Sequence, residues 1–225
     1  GSASAAVERT LDGEHSFALV RPPGHHAGPD RSMGFCIFNN AAVAAARALE
    51  SVDRVAILDW DLHHGNGTQT IFYGSDQVLF CSVHEEDSFP KTGWVDEIGT
   101  GAGRGYTLNA PLAAGSTIAD YQLVFREVFV PALARFRPDA LIVSAGQDAL
   151  ADDEHGHMNL EPEDFGVLAG MLIDGTDLPL ALTLEGGYGP SHGKAIEAIF
   201  AALRGKRFVP ANERSPHRST EGVVE

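Results

Sequence analysis

Asp59, Asp61, His63, His64 and Asn66 crowd into one short run, DWDLHHGNG, and could do metal chemistry there. The run follows Val55-Ala56-Ile57-Leu58, an apolar stretch that reads as a buried strand. Charged side chains are rarely buried without a partner, and a divalent metal is the simplest partner for such a cluster. Asp61 and His63 lie two apart and would point the same way if strand geometry continued. A carboxylate oxygen and an imidazole nitrogen are both ordinary zinc ligands. Asp148, just past a second apolar run, is the candidate third ligand. Three protein ligands leave a tetrahedral ion one open position, the mark of a catalytic site, where a metal can activate water and polarise a carbonyl.

The pair His25-His26 supplies groups to take a proton and return it to a leaving amine. Asp59 could orient one of these imidazoles and Asn66 the other. Tyr188, on a glycine turn, could donate to a developing oxyanion. Phe35 and Phe89 could line a narrow apolar passage, and His64 reads as structural beside His63. Singly, each has a plainer explanation: a turn histidine, a capping aspartate, a packed tyrosine, a core phenylalanine. Together they describe metal-assisted hydrolysis of an amide or ester.

Alternating strands and helices would position them. Strand runs are expected at Phe17–Val20, Val55–Leu58, Val78–Val83, Tyr106–Ala110, Ala140–Val143 and Leu180–Leu184. Helices are expected at Ser2–Leu11, Ala41–Leu49 (capped by Asn40), Thr68–Tyr73, Thr117–Phe136 (interrupted near Pro131), Pro162–Ile173 and Lys194–Leu203. Asp87–Gly105 reads as a long loop. This order predicts an α/β fold around a mainly parallel sheet, whose ligands bind beyond the carboxyl ends of the strands. His25-His26, the Asp59–Asn66 cluster, His84, Asp148 and Tyr188 each come directly after a strand run, so all five are expected on one rim.

The chain of 225 residues suits one domain, assigned to residues 1–204, with 205–225 expected as a mobile tail. Hydrophobic residues make up 44%, enough for a core. No apolar run reaches the length of a membrane helix, and no basic-then-apolar leader opens the chain. Cys36 and Cys81 lack CxxC spacing and read as buried free thiols of a reducing compartment, so a cytoplasmic protein is expected. A net charge of −15 argues against direct nucleic-acid binding and favours a cationic partner such as a lysine-rich tail or a polyamine. The same charge also serves plain solubility. A homo-oligomer is compatible with all of this.

The segments RPPGHHA, GFCIFNNAAVAA, ILDWDLHHGNGTQ, GTGAGRGYTLNAPL, PDALIVSAGQDA and LTLEGGYG resemble the histone deacetylase superfamily, which includes acetylpolyamine amidohydrolases and acetoin-utilisation proteins. The WDLHHGNGTQ form is similar to its class II and bacterial branches. The resemblance implies an arginase/deacetylase-like sheet and hydrolysis of acetyl-lysine or an acetylated polyamine. It implies Zn2+ held by Asp61, His63 and Asp148, with His26 the general base and acid and His25 an electrostatic helper. Tyr188 matches the transition-state tyrosine, and Phe35, Phe89, Gly34 and Gly187 match the acyl-lysine tunnel. Structural K+ or Na+ is implied at Asp59, Asp61, His63, Ser82 and Val83, and again at Phe72, Ser75, Val78 and Tyr106. Gln147, Leu150 and Lys91 depart from the family pattern, which bears on substrate preference. Family members also carry a further stretch ahead of RPPGHHA, so the first strands of the sheet are expected to be missing. Two alternatives remain: a catalytically impaired fragment that binds metal or acyl-amines or needs a partner, and an arginase-like binuclear hydrolase. Iron or cobalt in place of zinc stays open.

Overall fold

A computed structural model describes residues 1–214; the remainder of the expected tail, 215–225, lies outside the described residues. Six parallel strands form one sheet: β1 (Ser16–Ala18), β2 (Val55–Asp59), β3 (Val78–Glu85), β4 (Thr107–Leu112), β5 (Ala140–Ala145) and β6 (Leu180–Leu184), in the order β1-β6-β5-β2-β3-β4. Every residue of β2, β3, β5 and β6 is buried, as parallel strands covered on both faces require. Ile57, Phe80 and Ile142 face α1 (Ser2–Leu11) and α2 (Asn40–Ala48). Leu58, Cys81 and Val143 face the other layer, with α4 (Ile118–Val124), α5 (Val130–Phe136), α6 (Pro162–Thr176) and α7 (His192–Leu203). A short α3 (Asn66–Phe72) leaves the DWDLHHGNG run. Among the described residues no helix is long and apolar enough to cross a membrane. Both cysteines are buried free thiols.

Several expectations need correction. The cap of α2 is Asn39, not Asn40: Asn39 is extended, and its Oδ1 accepts from Ala42 N at 2.9 Å. The interruption expected near Pro131 is present: a π turn over Phe125–Phe129 breaks the helix just ahead of that proline. Pro131 has no N–H and its ring crowds the carbonyl four residues back, so the widened turn sits where the strain falls. β3 runs on to Glu85 rather than stopping at Val83, and β1 stops at Ala18. Residues 205–214, placed by sequence in a loose tail, lie against α6. There the Arg214 guanidinium donates to Asp164 at 3.0 Å, and Phe208 packs beside the core.

β2 is the pivot of the sheet. The chain moves outward from it through β3 and β4, then crosses back to β5 on its other side. The gap beyond the ends of β2 and β5 is therefore the topological switch point, where such sheets bind ligands.

Candidate active site

A cavity of about 280 Å³ opens at that switch point. Asp61 and His63 reach it from the turn after β2, and Asp148 from the turn after β5. The strand itself ends at Asp59, so Asp61 and His63 meet through a turn rather than through strand alternation. Backbone amides fix the turn: Asp61 N donates to Asp59 Oδ1 at 3.1 Å and His63 N to Asp61 Oδ1 at 2.9 Å. Leu62 N donates to Asp148 Oδ1 at 2.8 Å, and Gly186 N to Asp61 Oδ2 at 2.7 Å. One ligand atom from each of Asp61, His63 and Asp148 lies within 4.8 Å of the others. His63 Nδ1 is 2.9 Å from Asp148 Oδ2 and 3.3 Å from Asp61 Oδ1. Those spacings are close to the roughly 3.3 Å edge of a tetrahedron with zinc-length bonds.

Burial and the adjacent Asp61 carboxylate push Asp148 up to about 6. Burial opposes a charge on His63, yet Asp148 and Asp61 outweigh it and lift the ring to about 10. Two carboxylates thus draw a proton onto the imidazole that faces them. Nitrogen and oxygen donors converging on an excess of negative charge fit a borderline divalent ion such as zinc.

The paired histidines come from the loop after β1. His25 Nδ1 lies 3.0 Å from Asp59 Oδ2, and His26 Nδ1 lies 2.7 Å from Asn66 Oδ1. An amide oxygen only accepts, so His26 carries its proton on Nδ1 and keeps the Nε2 lone pair free. Burial and the neighbouring His25 charge push His26 down to about 3, leaving it neutral at pH 7. For His25, burial is outweighed by Asp61 and Asp59, which raise its pKa well above the usual histidine range. The loop is held down by Gly67 N and Thr68 N, both donating to the His25 carbonyl. A side chain at Gly67 would collide with the Ala27 carbonyl, so this approach needs glycine.

Tyr188, Phe35 and Phe89 border the opening, with Gly34 at its wall. Gly187 turns the chain there at φ +117°. Phe89 meets the His26 ring edge-on at 5.0 Å, and Phe35 meets Tyr188 at 6.1 Å. Both phenylalanines are exposed rather than core. Asp59 and Ser82 are register partners on adjacent strands, and Val83 is the next residue of β3. Phe72 O accepts from Ser75 N and Tyr106 O from Phe80 N, near the start of β3 at Val78; each carbonyl has a second lone pair.

Four of the five expected strand-end motifs therefore meet at this cavity, and His84 does not. Because β3 continues to Glu85, His84 stays in the strand and bonds Ser82 Oγ and Gly93 O, with its ring 4.8 Å from that of His64 and tilted 48° to it. His64 bonds Thr92 and Gln69 and is structural, as expected. Gln147 and Leu150 are buried and are not among the residues that line the cavity.

Sequence reasoning missed four neighbours. His155 lines the mouth with its ring 4.9 Å from Tyr188. Arg21 donates to the Glu185 and Gly187 carbonyls at 2.7 and 2.8 Å, and its guanidinium lies 4.8 Å over the Tyr188 ring. Glu185 Oε2 accepts from Gly24 N and His25 N, and burial raises this carboxyl to about 7. The available signal for Glu185 was a carboxylate directly after an apolar strand.

The fourth is Asp153. Its carboxylate accepts from Tyr188 N at 2.6 Å and from Gly189 N and His155 N at 2.9 Å. Burial would raise its pKa, but these donors hold it below the usual carboxylate value. A folded-state pKa below the unfolded one stabilises above the unfolded value, about 4, and that stabilisation is lost as pH falls through the folded value. Asp153→Asn is therefore expected to cost roughly 1–3 kcal/mol at pH 7. In urea melts at falling pH, the gap to the parent protein should close below about pH 4.

An Asp-His-Asp group with both aspartates buried thus lies at the switch point of a parallel α/β sheet, faced by two histidines. The family model for the histone deacetylase domain matches residues 1–203, and the chain belongs to that family. It is 43% identical over 201 residues to a histone deacetylase-like amidohydrolase of Pseudomonas aeruginosa, covering 85% of this chain and 53% of that protein. A probable deacetylase of Archaeoglobus fulgidus is 41% identical, with 84% and 54% covered. The chain spans about half the length of these curated relatives. Among solved structures, the HDA15 HD domain superposes with a TM-score of 0.87 at 40% identity, covering 91% of this chain and 62% of that one. An acetylpolyamine aminohydrolase from Burkholderia pseudomallei gives 0.85 at 39%, covering 91% and 60%.

Proposed function

We propose that residues 1–204 form a single catalytic unit of a metal-dependent deacylase that hydrolyses the amide of acetyl-lysine or an acetylated polyamine. The observation that carries this is the meeting of Asp61, His63 and Asp148 on the floor of a cavity walled by His25 and His26. Those three would hold a zinc ion, whose Lewis acidity activates water and polarises the acyl carbonyl.

The chain's own groups do the rest. His26 Nε2 takes a proton from the attacking water and passes it to the leaving amine. Asn66 fixes the tautomer that makes this possible. His25, paired with Asp59, presents positive charge beside the site. The Tyr188 hydroxyl donates to the oxyanion as it develops, and the Arg21 guanidinium holds the Tyr188 ring from one side. Phe35 and Phe89 flank the alkyl chain of the amine and exclude water. The acidic surface draws cationic amines toward the opening. Potassium or sodium would sit at the Asp59–Ser82 pair and near Tyr106.

The test is acetate release from acetyl-lysine peptides and from acetylated putrescine, spermidine and a small acyl-amide, with zinc, iron or cobalt supplied in turn. A hydroxamate should inhibit. No acetate from any substrate with any metal would refute the proposal for this chain. A second reading, ligand binding without turnover, draws on one observation: β1 is three residues long and paired on one side only. Hydroxamate binding without acetate release would select it. The binuclear alternative needs further bridging ligands, and among the described residues there is one such group of three.

A further inference from the structure

At the other end of the sheet, where the strands begin, lies a second cavity of about 570 Å³. Arg54 immediately precedes β2, and Asp59 closes that strand, so the two cavities are separated by roughly 16 Å of strand. The floor is apolar, with Leu79 and Leu108 from the sheet. One wall is aromatic: Tyr106 meets Phe136 edge-on at 5.6 Å. Three guanidinium groups, those of Arg54, Arg104 and Arg135, stand round the rim.

Among the described residues five arginines pair with a carboxylate and seven do not, and three of those seven meet at this cavity. Arg9, Arg47, Arg126, Arg207 and Arg214 each pair with a carboxylate. Among the described residues, Arg54, Arg104 and Arg135 do not. Acidic residues outnumber basic ones 31 to 16, yet three unpaired cations share one cavity. Arg54 is also oriented: its guanidinium donates to the Phe136 carbonyl at 2.9 Å and lies 5.9 Å from the Phe136 ring. Asp53, Asp76 and Asp139 line a neighbouring hollow on the far side of Arg54 together with Arg137. The Asp139 carboxylate there is engaged by the amides of Asp53 and Arg54. The open positive face is thus the one toward Arg104 and Arg135.

We propose that this cavity binds a small organic oxyanion, a phosphate monoester or a carboxylate carried on a compact apolar body. Guanidinium forks match both oxyanions and bind them through charge-assisted, often bidentate hydrogen bonds. The apolar floor and aromatic wall take the body of the ligand, which a bare inorganic anion would leave uncovered. The net charge of −15 repels anions overall, and the three guanidinium groups offset it at this cavity. This site does not depend on the metal chemistry proposed above.

The test uses the whole chain at low salt, titrated calorimetrically with phenyl phosphate, benzoate and inorganic phosphate. Saturable one-to-one binding of phenyl phosphate or benzoate is expected, at least about tenfold tighter than inorganic phosphate. The tighter of the two identifies the oxyanion. Arg104→Gln and Arg135→Gln should each weaken it about tenfold, and the double variant more. Arg126→Gln, on a paired arginine elsewhere, and His26→Ala, at the other cavity, should leave it unchanged. All three arginines are exposed, and thermal melts of the variants should match the parent. The proposal is overturned if neither organic anion saturates at millimolar concentration, if the double variant binds as the parent does, or if His26→Ala abolishes binding. Equal affinity for inorganic phosphate would overturn the apolar half of it.

Discussion

Zinc added to the metal-free protein is expected to raise its melting temperature by about 8–16 °C, and Asp148→Asn is expected to abolish that rise. An ion that binds only the folded chain stabilises it by about 4 kcal/mol at a thousand times its dissociation constant. For a domain of this size each kcal/mol moves the midpoint by about 2–4 °C. The direction for the metal-free variant is less obvious. Burial and the Asp61 charge raise Asp148 to about 6 in the folded chain. An acid whose folded-state pKa is raised destabilises the fold above that pKa. Asparagine removes this repulsion and can still accept from Leu62 N, the bond made now by Asp148 Oδ1. The variant also weakens the 2.9 Å contact that holds the charged His63 ring, which offsets this relief, so metal-free Asp148→Asn should melt close to the parent at pH 7.5 while losing the zinc response. A merely structural aspartate would give the opposite pattern: a lower melting point without metal and an unchanged increment with it. Scanning fluorimetry with and without chelator, alongside zinc analysis, separates the two.

That site was legible in the sequence because the buried strands announce their own ends. β2, β5 and β6 are short apolar runs, and each gives way at once to charged or glycine-rich residues. In a parallel sheet those ends must lie on one side, so Asp61, His63, Asp148 and Tyr188 could be brought together without knowing the strand order. His84 escaped the rule because nothing in Val83-His84-Glu85 marks where pairing stops. β4 carries the ladder on to Glu85 through its partner Leu112. The cap at Asn39 was missed because Asn39 and Asn40 are chemically alike, and only the backbone angle of the preceding loop chooses between them. Arg21 and Asp153 were invisible for another reason. They act on backbone atoms far away in sequence, at Gly187 and Tyr188, and a carbonyl or amide leaves no trace in residue type. The folding-back of residues 205–214 likewise rests on one buried carboxylate, Asp164, receiving both Arg214 and the Ala211 amide.

His26→Ala should lower deacylation by about 10²–10⁴-fold while zinc content and the zinc-induced melting shift stay at parent values. The imidazole sits between two fixed neighbours: Asn66 Oδ1 at 2.7 Å on Nδ1, and the Phe89 ring edge-on at 5.0 Å. The ring lines the cavity and its remaining nitrogen keeps a free lone pair, which in the proposed mechanism accepts the proton. His25 differs in kind, since Asp59 and Asp61 both lie against it at 3.0 and 3.6 Å and keep it cationic. His25→Ala should then disturb the melting temperature as well as turnover, because it leaves the buried Asp59 carboxylate with the Asp61 amide but without its charged partner. Asn66→Ala should fall between, about 10–100-fold slower, since the ring remains but its tautomer is no longer held. If the roles were exchanged, His26→Ala would lose stability and His25→Ala would not. Single-turnover acetate release measured beside thermal melts of the three variants decides which histidine moves the proton.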